Sequence, residues 1–183
     1  MTKGLIIVDV QNDYFAGGAM ELVAMDEAAA CCRQLLENFR AAQLPIFHIQ
    51  HLSTRPGAGF FVPNTPGCEI HHSLQPQAGE AYIVKHFPSA FRDTDLNQLL
   101  QLAGIDELVI CGAMSHMCID TTVRAAFDLG YRCQVIADAC ATRDLEFNGR
   151  KVAASDVQAA FMAALGMPFA QISSTADYLK TAS

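Results

Sequence analysis

An acid, an amine and a thiol each follow a short apolar segment of this sequence. Asp9 comes directly after the first segment, Lys85 after the third, and Cys118 lies shortly past the fourth, near the start of a predicted helix. A helix N-terminus favours a thiolate, and a neighbouring ammonium lowers the pKa of a thiol further. An acid can take the thiol proton and return it to a leaving amine, while N–H groups of the preceding turn hold an oxyanion. The three residues therefore predict acyl transfer through a covalent intermediate on Cys118.

Each of these residues also has a plainer interpretation. Asp9 alone is typical of a strand-end cap, and Lys85 alone is typical of a surface lysine. Only their joint placement with Cys118 favours catalysis. The seven cysteines are an odd set without a C-x-x-C pair, so we expect most of them to be buried apolar residues and one or two to be reactive.

The elements that must position these residues alternate between short apolar runs and longer helical patterns. The predicted strands are Gly4 to Val8, Ile46 to Gln50, Ala81 to Val84, Leu108 to Cys111, Cys133 to Ile136 and Phe169 to Ile172. Strand, helix, strand repetition predicts an α/β fold with right-handed crossovers and a parallel sheet. Ligands of such sheets lie beyond the carboxyl ends of the strands, which is where all three reactive residues are expected.

Two local patterns add to this outline. Ser155 and Gln158 have the spacing of a capping box at the start of the last predicted helix. The stretch from Ser53 to Gln77 is rich in Pro and Gly and has no clear period, and irregular stretches of this size are usually lids or binding loops. We therefore expect this stretch to contribute to a substrate pocket.

Composition excludes several classes of function. The chain has 183 residues with a hydrophobic fraction of 51%, which predicts one globular domain over residues 1–183. A formal net charge of −7 and the lack of a basic run disfavour nucleic acid as a partner. The longest apolar stretch, Ala159 to Ala170, is too short for a bilayer span, so we expect no membrane partner. The first residues do not resemble a secretory signal, which predicts a cytoplasmic protein.

Four blocks, in order along nearly the whole chain, resemble the isochorismatase-like cysteine hydrolases. They are IVDVQNDYF at 7–15, KHFPSAF at 85–91, GAMSHMCID at 112–120 and DACATRD at 138–144. The resemblance implies a Rossmann-like three-layer αβα domain with a central six-stranded, mainly parallel sheet. It also implies an Asp-Lys-Cys triad at Asp9, Lys85 and Cys118, and a homodimer or homotetramer.

The same resemblance implies the surroundings of the nucleophile. A cis peptide is expected between Ala113 and Met114, with the N–H groups of Met114 and Cys118 as the oxyanion hole. Independently of the resemblance, four further residues are candidates for contact with a small-molecule substrate, although the core competes for the three aromatic ones and a solvent-facing turn for the histidine. These candidates are Phe15, Phe60, Phe87 and His116.

Departures from the family narrow the expected chemistry. Members that cleave the vinyl ether of isochorismate lack the cysteine, so Cys118 favours hydrolysis of a C–N bond in a small amide, lactam or ureide. The nicotinamidase branch holds a metal with an Asp-x-His pair after the second strand, and this sequence has Gln50-His51-Leu52-Ser53 there. The cluster of Glu69, His71 and His72 does not match a metal-binding spacing either. We therefore expect a metal-independent hydrolase without a cofactor.

Two alternatives stay open from the sequence. One is hydrolysis of a vinyl ether in the manner of isochorismatase. The other is a module without hydrolytic activity, in which Cys118 binds a ligand or senses oxidants through reversible oxidation.

Overall fold

A computed structural model describes residues 2–181 of the chain. These residues form eight strands and five α-helices. The strands are β1 (Lys3–Val8), β2 (Ile46–His51), β3 (Ala81–Lys85), β4 (Glu107–Ala113), β5 (Arg132–Ala141), β6 (Leu145–Phe147), β7 (Arg150–Val152) and β8 (Gln171–Ser173). The helices are α1 (Met25–Ala41), α2 (Leu96–Leu102), α3 (Asp120–Asp128), α4 (Ala154–Leu165) and α5 (Thr175–Thr181).

Six of the strands form one parallel sheet in the order β3-β2-β1-β4-β5-β8. Each corresponds to a predicted strand, so the Rossmann-like α/β architecture is confirmed. The chain builds the sheet outward from β1 in one direction and then from β4 in the other. The carboxyl ends of β1 and β4 therefore lie at the point where the winding reverses, and that point is where open α/β sheets bind ligands.

Apolar residues alternate between the two faces of the sheet and create a core on each face. Leu5 and Ile7 of β1 pack with α1 and α5, whereas Ile6 and Val8 pack with α2, α3 and α4. This alternation follows from the two-residue period of a strand, and it makes three layers with helices on both sides. Both cores lie directly behind the carboxyl ends of β1 and β4, which gives the site a rigid support.

The fourth helix departs from the sequence prediction. Ser155 lies inside α4, and Asp144 caps the helix instead, because its Oδ1 accepts a hydrogen bond from the N–H of Ala154 at 2.8 Å. Gln158 does not complete a capping box but extends toward the turn that follows β4. The hairpin of β6 and β7 and the helix α5 were also not predicted.

The irregular stretch between β2 and β3 contains only two short 3-10 turns, at Pro66–Cys68 and His72–Leu74. Its first part lies over the carboxyl end of the sheet, and its second part packs against the segment after β1 through a bridge between Gln11 and Ile70. The expected position of this stretch beside a pocket is therefore confirmed. Within residues 2–181, no helix has the length and apolar character needed to cross a membrane.

Candidate active site

Three strand ends bring an acid, an amine and a thiol into contact. Oδ2 of Asp9 lies 2.8 Å from Nζ of Lys85, and the same Nζ lies 3.2 Å from Sγ of Cys118. The exposed fraction is 0% for Asp9 and Lys85 and 6% for Cys118. The structure thus assembles the three residues that the sequence placed at one edge of the sheet.

The backbone at the ends of β1 and β4 allows this close approach. Asp9 has a positive φ of 52°, which Asp and Asn tolerate better than most residues, and it turns the chain out of β1. Gly112 of β4 has φ of 120°, and a Cβ at this position would lie 2.0 Å from the carbonyl oxygen of Val8. Glycine is therefore required where β4 passes the end of β1.

Cys118 lies in a π-helical turn, Ser115–Ile119, that precedes α3. The sequence predicted an ordinary first turn of an α-helix, whereas π-helical turns are rare and frequent at functional sites. Ser115 is fully buried and fixes this turn: its Oγ lies 3.2 Å from the carbonyl oxygen of Ala141 and 2.5 Å from Oε1 of Gln158. Gln158 is thus a positioning residue, and the capping-box interpretation had given it a different partner.

Four polar atoms lie within contact distance of the ammonium group of Lys85, which has three N–H groups. Besides Asp9 and Cys118, it contacts Nδ1 of His51 at 2.9 Å and the carbonyl oxygen of Phe87 at 3.0 Å. Burial lowers the pKa of Lys85, but the negative charge of Asp9 and the contact with Cys118 outweigh this effect and raise it above its ordinary value. Lys85 is therefore a fixed positive charge at neutral pH.

The thiol of Cys118 is neutral at rest, contrary to the sequence prediction. Burial raises its pKa, the negative charge of Asp9 raises it further, and Lys85 only partly opposes these effects. The sequence predicted a thiolate because it showed the cation and the helix but did not show how deeply the sulfur is buried. Attack by this sulfur consequently requires a base that removes its proton.

Asp9 has the properties of that base. Its contact with Lys85 is an ion pair rather than a well-aligned hydrogen bond, because neither carboxylate oxygen has a hydrogen-bond partner of good geometry among residues 2–181. A carboxylate oxygen of Asp9 lies within 4.8 Å of Cys118 Sγ. A buried acceptor with unused hydrogen-bonding capacity beside a thiol is suited to proton transfer.

His51 is part of this cluster, although it was not among the predicted site residues. It is the last residue of β2, which lies between β1 and β3, so Lys85 must extend past it to reach Asp9. Burial and the charge of Lys85 lower the pKa of His51 to about 4. The rule that selected Asp9 and Lys85, a polar residue at a strand end, would also have selected His51.

Asp9, His51 and Cys118 offer one oxygen, one nitrogen and one sulfur atom within 4.8 Å of one another. Such a donor set suits Zn²⁺ in its chemistry. The ammonium of Lys85, however, already contacts all three residues. A divalent ion would have to displace this ammonium or bear its repulsion at contact distance, so the residues do not fit a resident metal.

A cavity of about 450 Å³ opens above Cys118. Four aromatic residues contribute to its wall, and two of them, Phe60 and Phe87, are predicted substrate-binding residues. Polar residues at its rim come from the stretch after β2 and from the end of β3. They are Ser53, Thr54, Arg55 and His86.

Two other predicted contacts lie elsewhere. Phe15 stacks on His71 with ring centroids 3.7 Å apart, because a 3-10 turn at Asn12–Tyr14 directs Tyr14 into the cavity instead. His116 hydrogen bonds to Oγ1 of Thr142 at 2.6 Å. Residues two apart in a helical turn face opposite sides, so the turn that points Cys118 into the cavity points His116 away from it.

A buried carboxylate that the sequence did not single out supports the cavity wall. Asp13 accepts hydrogen bonds from the N–H of Phe61 at 2.6 Å and of Ala19 at 3.2 Å. Phe61 in turn packs against Tyr14, with ring centroids 4.6 Å apart. Asp13 therefore joins the segment after β1 to the stretch after β2 and positions two aromatic rings of the wall.

The peptide bond between Ala113 and Met114 is cis, as the resemblance implies. Met114 and Cys118 both line the cavity. The assignment of their N–H groups as an oxyanion hole stays a prediction.

Comparisons with known proteins agree in fold and family. A profile of the isochorismatase domain matches residues 3–177. The isochorismatase family protein YddQ of Bacillus subtilis is 49% identical over 98% of this chain and 100% of its own length. A streptothricin hydrolase of Streptomyces noursei is 38% identical over 78% of this chain and 56% of its own length. The crystal structure of an isochorismatase from Pseudomonas putida superimposes with a TM-score of 0.90 at 40% identity, over 96% of this chain and 89% of that one.

Proposed function

The chain belongs to the isochorismatase family of hydrolases, and we propose that it is a metal-independent cysteine hydrolase that cleaves the C–N bond of a small amide, lactam or ureide. One observation carries the proposal. A buried thiol and a carboxylate with unused acceptor capacity share one ammonium ion at the floor of an apolar cavity. The cavity of about 450 Å³ lies in the range typical of small-molecule sites.

Acylation begins with the neutral thiol. As Sγ of Cys118 attacks the carbonyl carbon, the thiol proton moves to Asp9 and the carbonyl oxygen gains a negative charge. The N–H groups of Met114 and Cys118 hold this charge. The tetrahedral intermediate then loses its C–N bond, and Asp9 returns the proton to the leaving nitrogen. The products of this half-reaction are an amine and a thioester on Cys118.

Deacylation uses the same groups in reverse. A water molecule gives a proton to Asp9 and attacks the thioester carbon. The C–S bond breaks, the acyl group leaves as a carboxylic acid, and the proton on Asp9 returns to sulfur. Lys85 does not transfer a proton in either step. Its fixed charge stabilises the transient thiolate and keeps Asp9 next to it.

The two alternative functions have less support. A peroxide sensor requires an accessible thiolate, whereas burial raises the pKa of the Cys118 thiol and leaves it 6% exposed. Hydrolysis of a vinyl ether requires no thiol, so it leaves the contact between Lys85 and Cys118 without a role.

Intact-mass spectrometry after brief incubation with a panel of small amides, lactams and ureides tests the proposal. We expect an acyl adduct on the wild type and none on Cys118→Ala, with turnover reduced at least about 10³-fold in the variant. Cys31→Ala is the matched control, because Cys31 is the one cysteine of residues 2–181 that is not buried. An adduct that disappears in Cys31→Ala but persists in Cys118→Ala would refute the assignment.

A further inference from the structure

The side chain of His51 has a defined position and a defined protonation state. Its backbone N–H donates to Oε1 of Gln11 at 2.7 Å, and its carbonyl oxygen accepts from Nε2 of Gln11 at 2.9 Å. The ring stands beside Phe61, with centroids 5.9 Å apart. The residue is thus held at both its backbone and its ring.

The contact with Lys85 determines which ring nitrogen carries the proton. An ammonium group can only donate hydrogen bonds, so Nδ1 of His51, at 2.9 Å from Nζ of Lys85, must be the acceptor. A neutral imidazole that accepts at Nδ1 carries its proton on Nε2. The lowered pKa of His51, about 4, is consistent with this neutral form.

The proton on Nε2 is available to a ligand. Among residues 2–181, the only hydrogen bond of the ring is the one at Nδ1, and Nε2 is not among the buried polar atoms without a partner. His51 lines the cavity together with Cys118. A ring nitrogen lies within 4.8 Å of Cys118 Sγ, so a group bonded to an acyl carbon on that sulfur lies within reach of the ring.

We propose that His51 contacts the substrate, and that its Nε2–H donates a hydrogen bond to an oxygen or nitrogen atom on the acyl group next to the scissile carbonyl. The inference rests on the proposed hydrolase function and narrows its substrate class. It selects acyl groups that carry an acceptor atom beside the carbonyl over purely aliphatic acyl groups of the same size. We place the hydrogen bond from His51 on the acyl side of the substrate rather than on its leaving group, because the leaving nitrogen must face Asp9 to be protonated.

Two esters that differ in one atom test this selection. 4-Nitrophenyl methoxyacetate carries an ether oxygen where 4-nitrophenyl butyrate carries a methylene group. The measured quantity is the second-order rate constant for acylation of the enzyme, followed by release of 4-nitrophenolate in a single turnover. The ratio of the two rate constants, divided by the ratio for hydroxide alone, removes the intrinsic difference in reactivity.

Two variants of His51 separate its two hydrogen bonds. In His51→Asn the amide can still accept from Lys85 near the position of Nδ1, but the donor at Nε2 is lost. His51→Gln places an amide near the position of Nε2 and retains a donor. We expect a corrected ratio of about three to ten for the wild type, about one for His51→Asn and an intermediate value for His51→Gln. Loss of general stability would slow both esters equally and leave the ratio unchanged.

Two outcomes would overturn the inference: a corrected ratio of about one in the wild type, or a wild-type ratio preserved in His51→Asn. Failure of the proposed function itself has a different signature. In that case Cys118→Ala would release 4-nitrophenolate as fast as the wild type, or intact mass would show no acyl group on the protein with either ester.

Discussion

Two clusters of charged residues contact β2 and contain the same three kinds of group. Each has a carboxylate, a basic side chain and a histidine of β2. The first is the site cluster of Asp9, Lys85 and His51, together with Cys118. The second, which we name the Glu80 cluster, comprises Glu80, Arg40 and His48. The two histidines are three residues apart and belong to the same strand.

The clusters differ in how fully the carboxylate is bonded. Glu80 accepts two hydrogen bonds from the guanidinium of Arg40, at 2.6 and 2.9 Å. Its Oε2 also contacts Nε2 of His48 at 2.7 Å and accepts from the N–H of Gln77 at 2.8 Å. The oxygens of Asp9, by contrast, have an ion pair but no hydrogen bond of good geometry within the described residues.

This difference separates a structural cluster from a reactive one. Burial alone would raise the pKa of Glu80, but hydrogen bonds from Arg40, Gln77 and His48 lower it to about 2. A carboxylate held in this way resists protonation and ties α1 to the stretch before β3. Asp9 keeps acceptor capacity next to a neutral thiol. Under the proposed mechanism, the same residue types serve stability in one place and proton transfer in the other, according to how many donors surround the carboxylate.

Removal of each carboxylate charge is the strongest test of the difference between the two clusters. We expect Asp9→Asn to lower kcat/KM by about 10²–10⁴-fold, because the base for the thiol proton is lost while Asn tolerates the positive φ of Asp9. We expect Glu80→Gln to leave kcat/KM within about threefold of the wild type. Steady-state kinetics on whichever substrate the adduct screen identifies would measure both. Equal losses in the two variants would contradict the distinction.

Removal of the Glu80 charge should lower the stability of the folded protein. Glu80→Gln removes the charge from four hydrogen-bond contacts and should lower the free energy of unfolding by about 1–3 kcal/mol. Urea unfolding at pH 7 measures this change. A stability equal to that of the wild type would mean that the Glu80 cluster does not stabilise the contact between α1 and the stretch before β3.

The contributions of the two clusters to the free energy of unfolding should be lost in different pH ranges. The pKa of His51 is about 4 in the folded protein and 6.5 ordinarily, so the unfolded chain binds more protons between these values and stability falls as pH is lowered through this range. The titratable groups that face His51 are Lys85, Asp9, His86 and Arg55. The pKa of Glu80 is about 2 when folded and 4.5 ordinarily, so its contribution is lost between about pH 4.5 and 2.

Unfolding curves at a series of pH values test this separation. The stability advantage of the wild type over His51→Asn should shrink, by on the order of 1 kcal/mol, as pH falls from about 6.5 to 4. The advantage over Glu80→Gln should persist in that range and shrink only below about 4.5. Identical pH profiles for the two variants would show that the histidine and the glutamate titrate as one network.

An exposed ion pair provides the smallest expected effect and a baseline. Arg33 and Glu37 lie one turn apart on α1 at 2.8 Å, with side chains 60% and 58% exposed. Glu37→Gln should change the free energy of unfolding by less than about 0.5 kcal/mol. A larger change would mean that differences of the size expected for the buried clusters cannot be attributed to burial.

Much of this molecule follows from local sequence patterns. Short apolar runs predicted all six strands of the main sheet, and the order of strands and helices predicted their parallel arrangement. The short hairpin of β6 and β7 was missed, because its two strands are largely exposed and do not form an apolar run. The candidate site was predicted in part: Asp9, Lys85 and Cys118 meet, whereas Phe15 and His116 lie outside the cavity.

The residues that reach the carboxyl edge of the sheet could be predicted from the sequence alone, because the boundary between apolar and polar residues marks the end of each strand. How those residues affect one another depends on the tertiary structure. The depth of Cys118 reverses the expected shift of its thiol pKa, and the path of Lys85 past the end of β2 makes His51 part of the site. Burial and hydrogen-bond partners come from segments distant in the chain, and a local pattern does not contain them.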